Sequence, residues 1–243
     1  MLALGFFVTA LLYAAVGFGG GSTYSALLAL AGFDYRLLPI VSLACNVVVV
    51  SGSTIRFARA GLVPWRGALT LALVAAPLAF LGGLTPVKEA TFLLLLGLSL
   101  VLAGLALLLP RAPELDGTPA AAARWMGLAA APLGYLAGLV GIGGGIFLAP
   151  LLHLTRWHRA RQIAATASLF ILINSIAGLV GQLAKNGPGR FAEALSGALP
   201  LVMAVVIGGQ FGSLLAQRLL PEKVIRWLTA VLTIWAGSQL LLR

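Results

Sequence analysis

Two runs of three consecutive glycines, Gly19-Gly20-Gly21 and Gly143-Gly144-Gly145, lie inside apolar segments that read VGFGGGSTYSALLAL (16–30) and VGIGGGIFLAPLLHL (140–154). Consecutive glycines admit positive φ and close backbone approach, so each run can present several free N–H groups where a helix starts. Helix N-termini and nests of backbone amides hold oxyanions without any lysine or arginine. The competing account is packing, because small residues let membrane helices approach one another. A single run would favour packing; its duplication inside two unusually long segments favours an anion site. A dinucleotide fingerprint is excluded, since no soluble βαβ unit surrounds either run and the sixth motif position is Ser22 or Ile146.

The other polar groups within apolar runs are neutral: Ser42, Asn46, Ser51 and Ser53, then Thr166, Ser168, Asn174 and Ser175, and later Gln210. Such groups donate hydrogen bonds to an oxyanion, or tie helix to helix for about 0.6 kcal/mol each. Asn46 and Asn174 stand out, because a carboxamide is harder to satisfy in lipid than a hydroxyl, which bonds back to its own helix. Ser168 joins them as a candidate that orients a bound anion. His153, near Arg156 and His158, reads as interfacial rather than catalytic. No nucleophile, base and metal set is visible, so an enzyme is not expected. Cys45 is the sole cysteine, which excludes an internal disulfide and a thiolate metal cluster. No metal and no cofactor are implied.

The elements that must position these groups are membrane helices. The chain has 243 residues, 60% hydrophobic and 9% charged, against about a quarter charged in soluble domains. Eight charge-free runs cover 1–33, 37–55, 67–87, 90–110, 125–155, 162–184, 194–217 and 227–242, most long enough to span a bilayer as helix. Barrel strands would alternate over about ten residues, and these runs do not. The net charge of +10 sits in the loops, where it sets topology; no soluble segment is long enough for a basic nucleic-acid face. The opening residues lack a basic start and a cleavage site and read as part of the fold.

The glycine runs align at an offset of 124, and later matches (SL 42–43 with 168–169, GG 82–83 with 208–209) at 126. The fold class expected is an all-α polytopic membrane protein of two tandem, inverted repeats, 1–110 and 125–243, joined by a linker at 111–124. Each repeat would comprise a Gly-broken first helix and three transmembrane helices. Each opens on a run of 33 or 31 residues, too long for one span and too short for two, which need about 40. A helix that enters, breaks at the glycines and turns back would fit. If each run spans once, Lys and Arg divide 8 against 8 between the two sides. If each is a re-entrant hairpin, they divide 11 against 5, with Arg56, Arg59, Arg66, Arg111, Arg124, Arg156, Arg159, Arg161, Arg218, Lys223 and Arg226 on the positive, cytoplasmic side. Trp65, Trp125, Trp157 and Trp227 lie beside arginines of that side, as interfacial anchors would. The hairpin is therefore favoured, with both termini outside the cytoplasm. Inverted repeats with broken helices are a recurrent transporter plan.

The absence of carboxylates within the runs argues against a proton- or cation-coupled pump. An exported anion needs no coupling ion, because a negative interior drives it outward at about 2.3 kcal/mol per charge per 100 mV.

With GFGGGS and GIGGGIFLAPLL heading two four-segment repeats, the SL pair in the following span and a length near 250, the whole chain resembles the TauE/SafE sulfite-exporter family of membrane permeases. The resemblance implies export of a small sulfur-containing anion, sulfite or an organosulfonate such as sulfoacetate, across a bacterial-type inner membrane. It implies anion contacts at Gly19, Gly20, Gly21, Ser22, Gly143, Gly144 and Gly145, and on polar residues of the second spans, where Asn46, Ser168 and Asn174 lie. Ile146 departs from Ser22, so the half-sites are chemically unequal. The partners expected are the anion and the lipid bilayer, with no nucleic acid, and the chain's size is compatible with a homodimer. A passive anion channel on the same fold, and a membrane scaffold whose glycines only pack helices, are the alternatives.

Overall fold

The computed structural model describes residues 1–109, 120–155, 157–215 and 222–242. Ten helices run through them: α1 (Leu2–Val16), α2 (Gly21–Leu30), α3 (Leu38–Arg59), α4 (Trp65–Leu84), α5 (Glu89–Leu108), α6 (Ala120–Val140), α7 (Gly145–Leu154), α8 (Ala160–Gly197), α9 (Leu199–Leu215) and α10 (Glu222–Leu241). Of the linker expected at 111–124, residues 111–119 lie outside the described residues and 120–124 already belong to α6. Arg111, Arg156 and Arg218 of the charge count also lie outside them.

The first long run breaks where its glycines begin. Gly17 closes α1 in the left-handed region (φ 85), with its own N–H on Ala14 and that of Phe18 on the Tyr13 carbonyl, the double bond of a Schellman cap. Gly20, again left-handed, is the N-cap of α2. The chain then doubles back along α1. Thr23 bonds the Tyr13 hydroxyl at 2.8 Å, the Tyr24 ring stacks on Phe6 at 4.7 Å, and Leu27 packs over Gly5. A straight helix would hold residues 5 and 27 about 33 Å apart. The second run repeats the device: α6 ends at Gly141 (φ 82), α7 starts after Gly144 (φ 77), and Thr155 at the far end of α7 returns to the Met126 sulfur.

Among the described residues four helices, α3, α4, α5 and α8, are long and apolar enough to cross a membrane. Pro39 in its first turn starts α3, and Gly61 ends it with the same double bond, Gly61 N–H to Ala58 and Leu62 N–H to Phe57. Helix α8 is interrupted at Gly187, where φ 78 and ψ 163 leave the helical region just before Pro188.

Packing crosses between the two halves of the chain. α1 lies on α9, α6 on α4, α5 on α10, and α3 on α8. Where α4 meets α6, a methyl on Gly138 would overlap the Ala79 carbonyl; where α1 meets α9, one on Gly212 would overlap the Leu11 carbonyl. Close backbone approach of this kind supplies the van der Waals attraction that holds helices together in lipid. α3 and α8 are the most enclosed of the four long helices. The outer surface is apolar, with Leu73, Leu94, Leu102, Ile207, Phe211 and Val231 exposed, as a lipid-facing surface requires. Trp65 and Trp227 stand about half exposed, whereas Trp157 is buried at 5%, packed against Gly67 of α4. Trp157 is thus a core residue and not the interfacial anchor its arginine neighbours suggested.

Candidate functional site

The two breaks, 17–20 and 141–144, meet in the interior, and every residue of both is buried. They are joined by side chains of α3. The Asn46 carboxamide, fully buried, accepts the Gly21 N–H at 2.8 Å and donates to the Ile142 carbonyl at 3.3 Å. One turn earlier the Ser42 hydroxyl reaches the Gly21 carbonyl and, at 2.8 Å, the Gly141 carbonyl. From α8 the Ser168 hydroxyl donates to the Gly17 carbonyl.

This local order follows from helix termini. The first N–H groups of a helix and its last carbonyls lack intrahelical partners, so a break in mid-helix exposes both kinds together. Ser42, Ser168 and the Asn46 Nδ2 take the carbonyls that close α1 and α6, and the Asn46 Oδ1 takes one amide of α2. The first turn of α2 is bonded within the helix only from Tyr24 N–H to the Gly20 carbonyl onward, which leaves the amides of Gly20, Ser22 and Thr23 without intrahelical acceptors. In α7 the corresponding first bonds come from Phe147 and Leu148 to Gly144. Two helix N-termini, with their partial positive charge, therefore meet two helix C-termini, with their partial negative charge, at one buried place, and among the described residues the amide ends have no carboxylate beside them.

The candidate residues sort into three groups. Gly19, Gly21 and Gly143 lie against the Asn46 carboxamide, with the Ser175 hydroxyl beside Gly143. Gly20 faces into its own hairpin, toward Thr9 and Tyr24, and Gly144 faces Phe170 of α8 and Leu133 and Ala137 of its own hairpin. Gly145 rests on Ile171, and Ser22 is buried in the first turn of α2. Ser168 sits at the first break. Asn174 behaves differently: its Nδ2 donates to Phe170, one turn back on its own helix, and its Oδ1 is buried without a partner. The bond back to the helix, expected of hydroxyls, is made here by a carboxamide.

Ser42 and Ser175 stand in the polar inventory of the sequence but not among its candidate site residues, and Ile171 stands in neither. Ser42 and Asn46 are four residues apart, hence on one face of α3, and that spacing was the signal available for Ser42. Nothing in the sequence distinguishes Ile171. Both Asn46 and Ile171 lie against Gly19 and Gly143, but Gly21 at the start of α2 rests on the Asn46 carboxamide and its counterpart Gly145 at the start of α7 rests on the aliphatic Ile171. Among the described residues no three His, Cys, Asp or Glu side chains gather as metal ligands, and Cys45 is buried.

Residues 1–240 match the family described as "Sulfite exporter TauE/SafE". The chain is 36% identical to a "Probable membrane transporter protein y4hK" of Sinorhizobium fredii, over 99% of this chain and 97% of that protein. It is 25% identical to a "Probable membrane transporter protein MJ0441" of Methanocaldococcus jannaschii, over 97% and 92% of the two chains. No solved structure matches it significantly. The chain belongs to the TauE/SafE sulfite exporter family: it is an integral membrane protein of a transporter family, not an enzyme.

Proposed function

We propose that this family member exports a small sulfur-containing oxyanion, sulfite or an organosulfonate of the sulfoacetate type, across the inner membrane. Binding occurs where the two glycine breaks meet. The observation that carries the reading is Asn46, whose one carboxamide touches both breaks at a buried junction of helix ends that includes the N-termini of α2 and α7. An oxyanion arriving there would take the Gly21 amide and its free neighbours as donors, and the Asn46 and Ser168 side chains would turn from backbone partners to the ligand. Anions at helix N-termini need no buried cation, which fits a site without one.

The architecture we infer is a pair of inverted repeats, each a re-entrant hairpin followed by three spans. Matching left-handed glycines support it: Gly17 with Gly141, Gly20 with Gly144, Gly61 with Gly187. So does the crossed packing, in which the first helix of each half lies on a later helix of the other, and α3 and α5 meet their own counterparts. Complete burial of both breaks favours a gated carrier over a continuously open pore.

The test is flux of radiolabelled sulfite and sulfoacetate into proteoliposomes, with and without an imposed potential. Saturable, potential-dependent flux inhibited by competing sulfonates supports the proposal. Flux that never saturates, with unitary currents, would indicate a channel, and none above empty liposomes would overturn the reading.

A further inference from the structure

One basic side chain stands apart from the loop charges. Arg56 lies in the last turn of α3 and is half-buried; among the described residues its guanidinium meets the Ser53 hydroxyl at 3.4 Å and no carboxylate. It borders a cleft between α3 and α9 lined also by Val49, Gly52, Val206, Gly209 and Gln210. A methyl placed on Gly52 would stand 3.5 Å from the Arg56 guanidinium and 3.8 Å from the Gln210 carboxamide, so both polar heads flank the floor of that cleft.

The same helix face leads inward. Ser42, Asn46, Val49, Ser53 and Arg56 are spaced by four, three, four and three residues, one continuous stripe of α3. It runs about 15 Å from Arg56 to Asn46. The stripe thus connects a cationic head at the cleft with the carboxamide that joins the two breaks.

The corresponding seam elsewhere in the molecule is shut. The offset of 126 that pairs Gly82-Gly83 with Gly208-Gly209 also pairs Gly178 with Gly52 and Gln182 with Arg56. Between α4 and α8, Gly83 and Gly178 pack backbone against backbone, and buried Gln182 donates to the Gly138 carbonyl at 3.2 Å. Between α3 and α9, a methyl on Gly209 would first meet Val49 at 3.5 Å. One seam is closed backbone on backbone and holds a neutral carboxamide; its counterpart has room for a methyl at Gly209 and holds a guanidinium that, among the described residues, meets a hydroxyl and no carboxylate.

We propose that the α3–α9 seam is the cytoplasmic access path of the transported oxyanion, and that Arg56, with Ser53 and Gln210, is its first binding station. This rests on the anion-export reading and deepens it. The planar guanidinium presents paired donors matched to oxyanions, and a cation without a carboxylate partner at a cleft mouth raises the local anion concentration. The anion then passes along the Ser53–Asn46 face to the breaks.

Two measurements test it. In flux assays that vary anion on the cytoplasmic side, Arg56→Gln should raise KM roughly tenfold, as loss of a charge-assisted hydrogen bond would, with little change in kcat, and Arg56→Lys should restore part of it. Wild-type flux with an unaltered KM in Arg56→Gln would overturn the access station and leave the export reading standing, whereas absence of wild-type flux would remove both. The second measurement needs no transport. In Cys45→Ala/Val206→Cys protein, a sulfonate-bearing thiosulfonate should modify the new thiol at least about fivefold faster than a trimethylammonium analogue, and adding Arg56→Gln should erase the preference. Equal rates before that change, or no modification by either reagent, would overturn the proposal.

Discussion

Ser42 and Ser168 make the same hydrogen bond in opposite directions across the molecule. Ser42, on α3, donates to the carbonyl of Gly141, which closes α6, and Ser168, on α8, donates to the carbonyl of Gly17, which closes α1. Each half of the chain thereby secures the break of the other. Both hydroxyls are fully buried, so deleting either leaves a buried carbonyl without that donor.

Ser168→Ala and Ser42→Ala should each lower stability by about 1–3 kcal/mol, the cost of a buried polar group deprived of its partner. Thermal unfolding in detergent, followed by loss of the monodisperse peak, measures it. Ser42→Ala should be the more harmful, because that hydroxyl serves the Gly21 and the Gly141 carbonyls together. Unchanged midpoints in both variants would mean that these bonds do not hold the breaks.

Asn46→Asp separates binding from packing. The carboxylate keeps an acceptor for the Gly21 N–H but loses the donor to the Ile142 carbonyl, and it sets a negative charge where an anion would bind. Sulfite flux should fall at least about a hundredfold, the equivalent of roughly 2.7 kcal/mol, while the protein still inserts. Retained flux would move the anion site away from Asn46.

Glycine replacements should differ by position. Gly61→Ala meets only the left-handed φ of 66 with open space around it, so it should cost about 1–2 kcal/mol and leave transport alone. Gly20→Leu and Gly144→Leu add bulk to the same strain, against Tyr24 and Thr9 or against Phe170 and Leu133. Both should abolish flux. Equal tolerance of all three in a flux assay would reduce the breaks to simple turns.

His158 carries the pH dependence visible outside the spans. Partial burial, with its ring centroid 4.4 Å from that of Trp157 in an edge-on arrangement, holds the imidazole below its usual pKa, so the folded state prefers it neutral. That contribution is complete above the unfolded value of about 6.5 and is lost as pH falls through the lower folded value. Acid should therefore lower the thermal midpoint slightly, and His158→Gln should flatten the dependence below about pH 6.5. A steeper acid loss in the variant would contradict this assignment.

The breaks were legible because run length against bilayer thickness is arithmetic: 33 and 31 apolar residues cannot be whole numbers of spans. What the breaks touch was not. Asn46 and Asn174 look equivalent along the chain, yet rotation of α3 aims one at both breaks, while the other bonds back to Phe170. Helix rotation is decided by close packing, such as Gly138 on Ala79, and a list of polar residues does not contain it. Trp157 misled for a related reason, since its arginine neighbours mark depth in the membrane, whereas Gly67 makes the hollow that receives its ring.

The sealed α4–α8 seam yields the last prediction. A methyl on Gly181 would overlap the Phe80 carbonyl, and one on Gly83 would press on that of Gly178; backbone cannot swing aside as a flexible side chain does. Gly181→Ala and Gly83→Ala should therefore cost about 1–3 kcal/mol each through overpacking. If transport alternates between opening one seam and opening the other, they do more than destabilise. They oppose the closed α4–α8 state specifically and should shift the molecule toward the form in which α3 and α9 close. The modification rate at Val206→Cys should then fall in the Gly181→Ala background, as the cleft beside Arg56 narrows. A lower unfolding midpoint with an unchanged modification rate would mean that the two seams are not coupled.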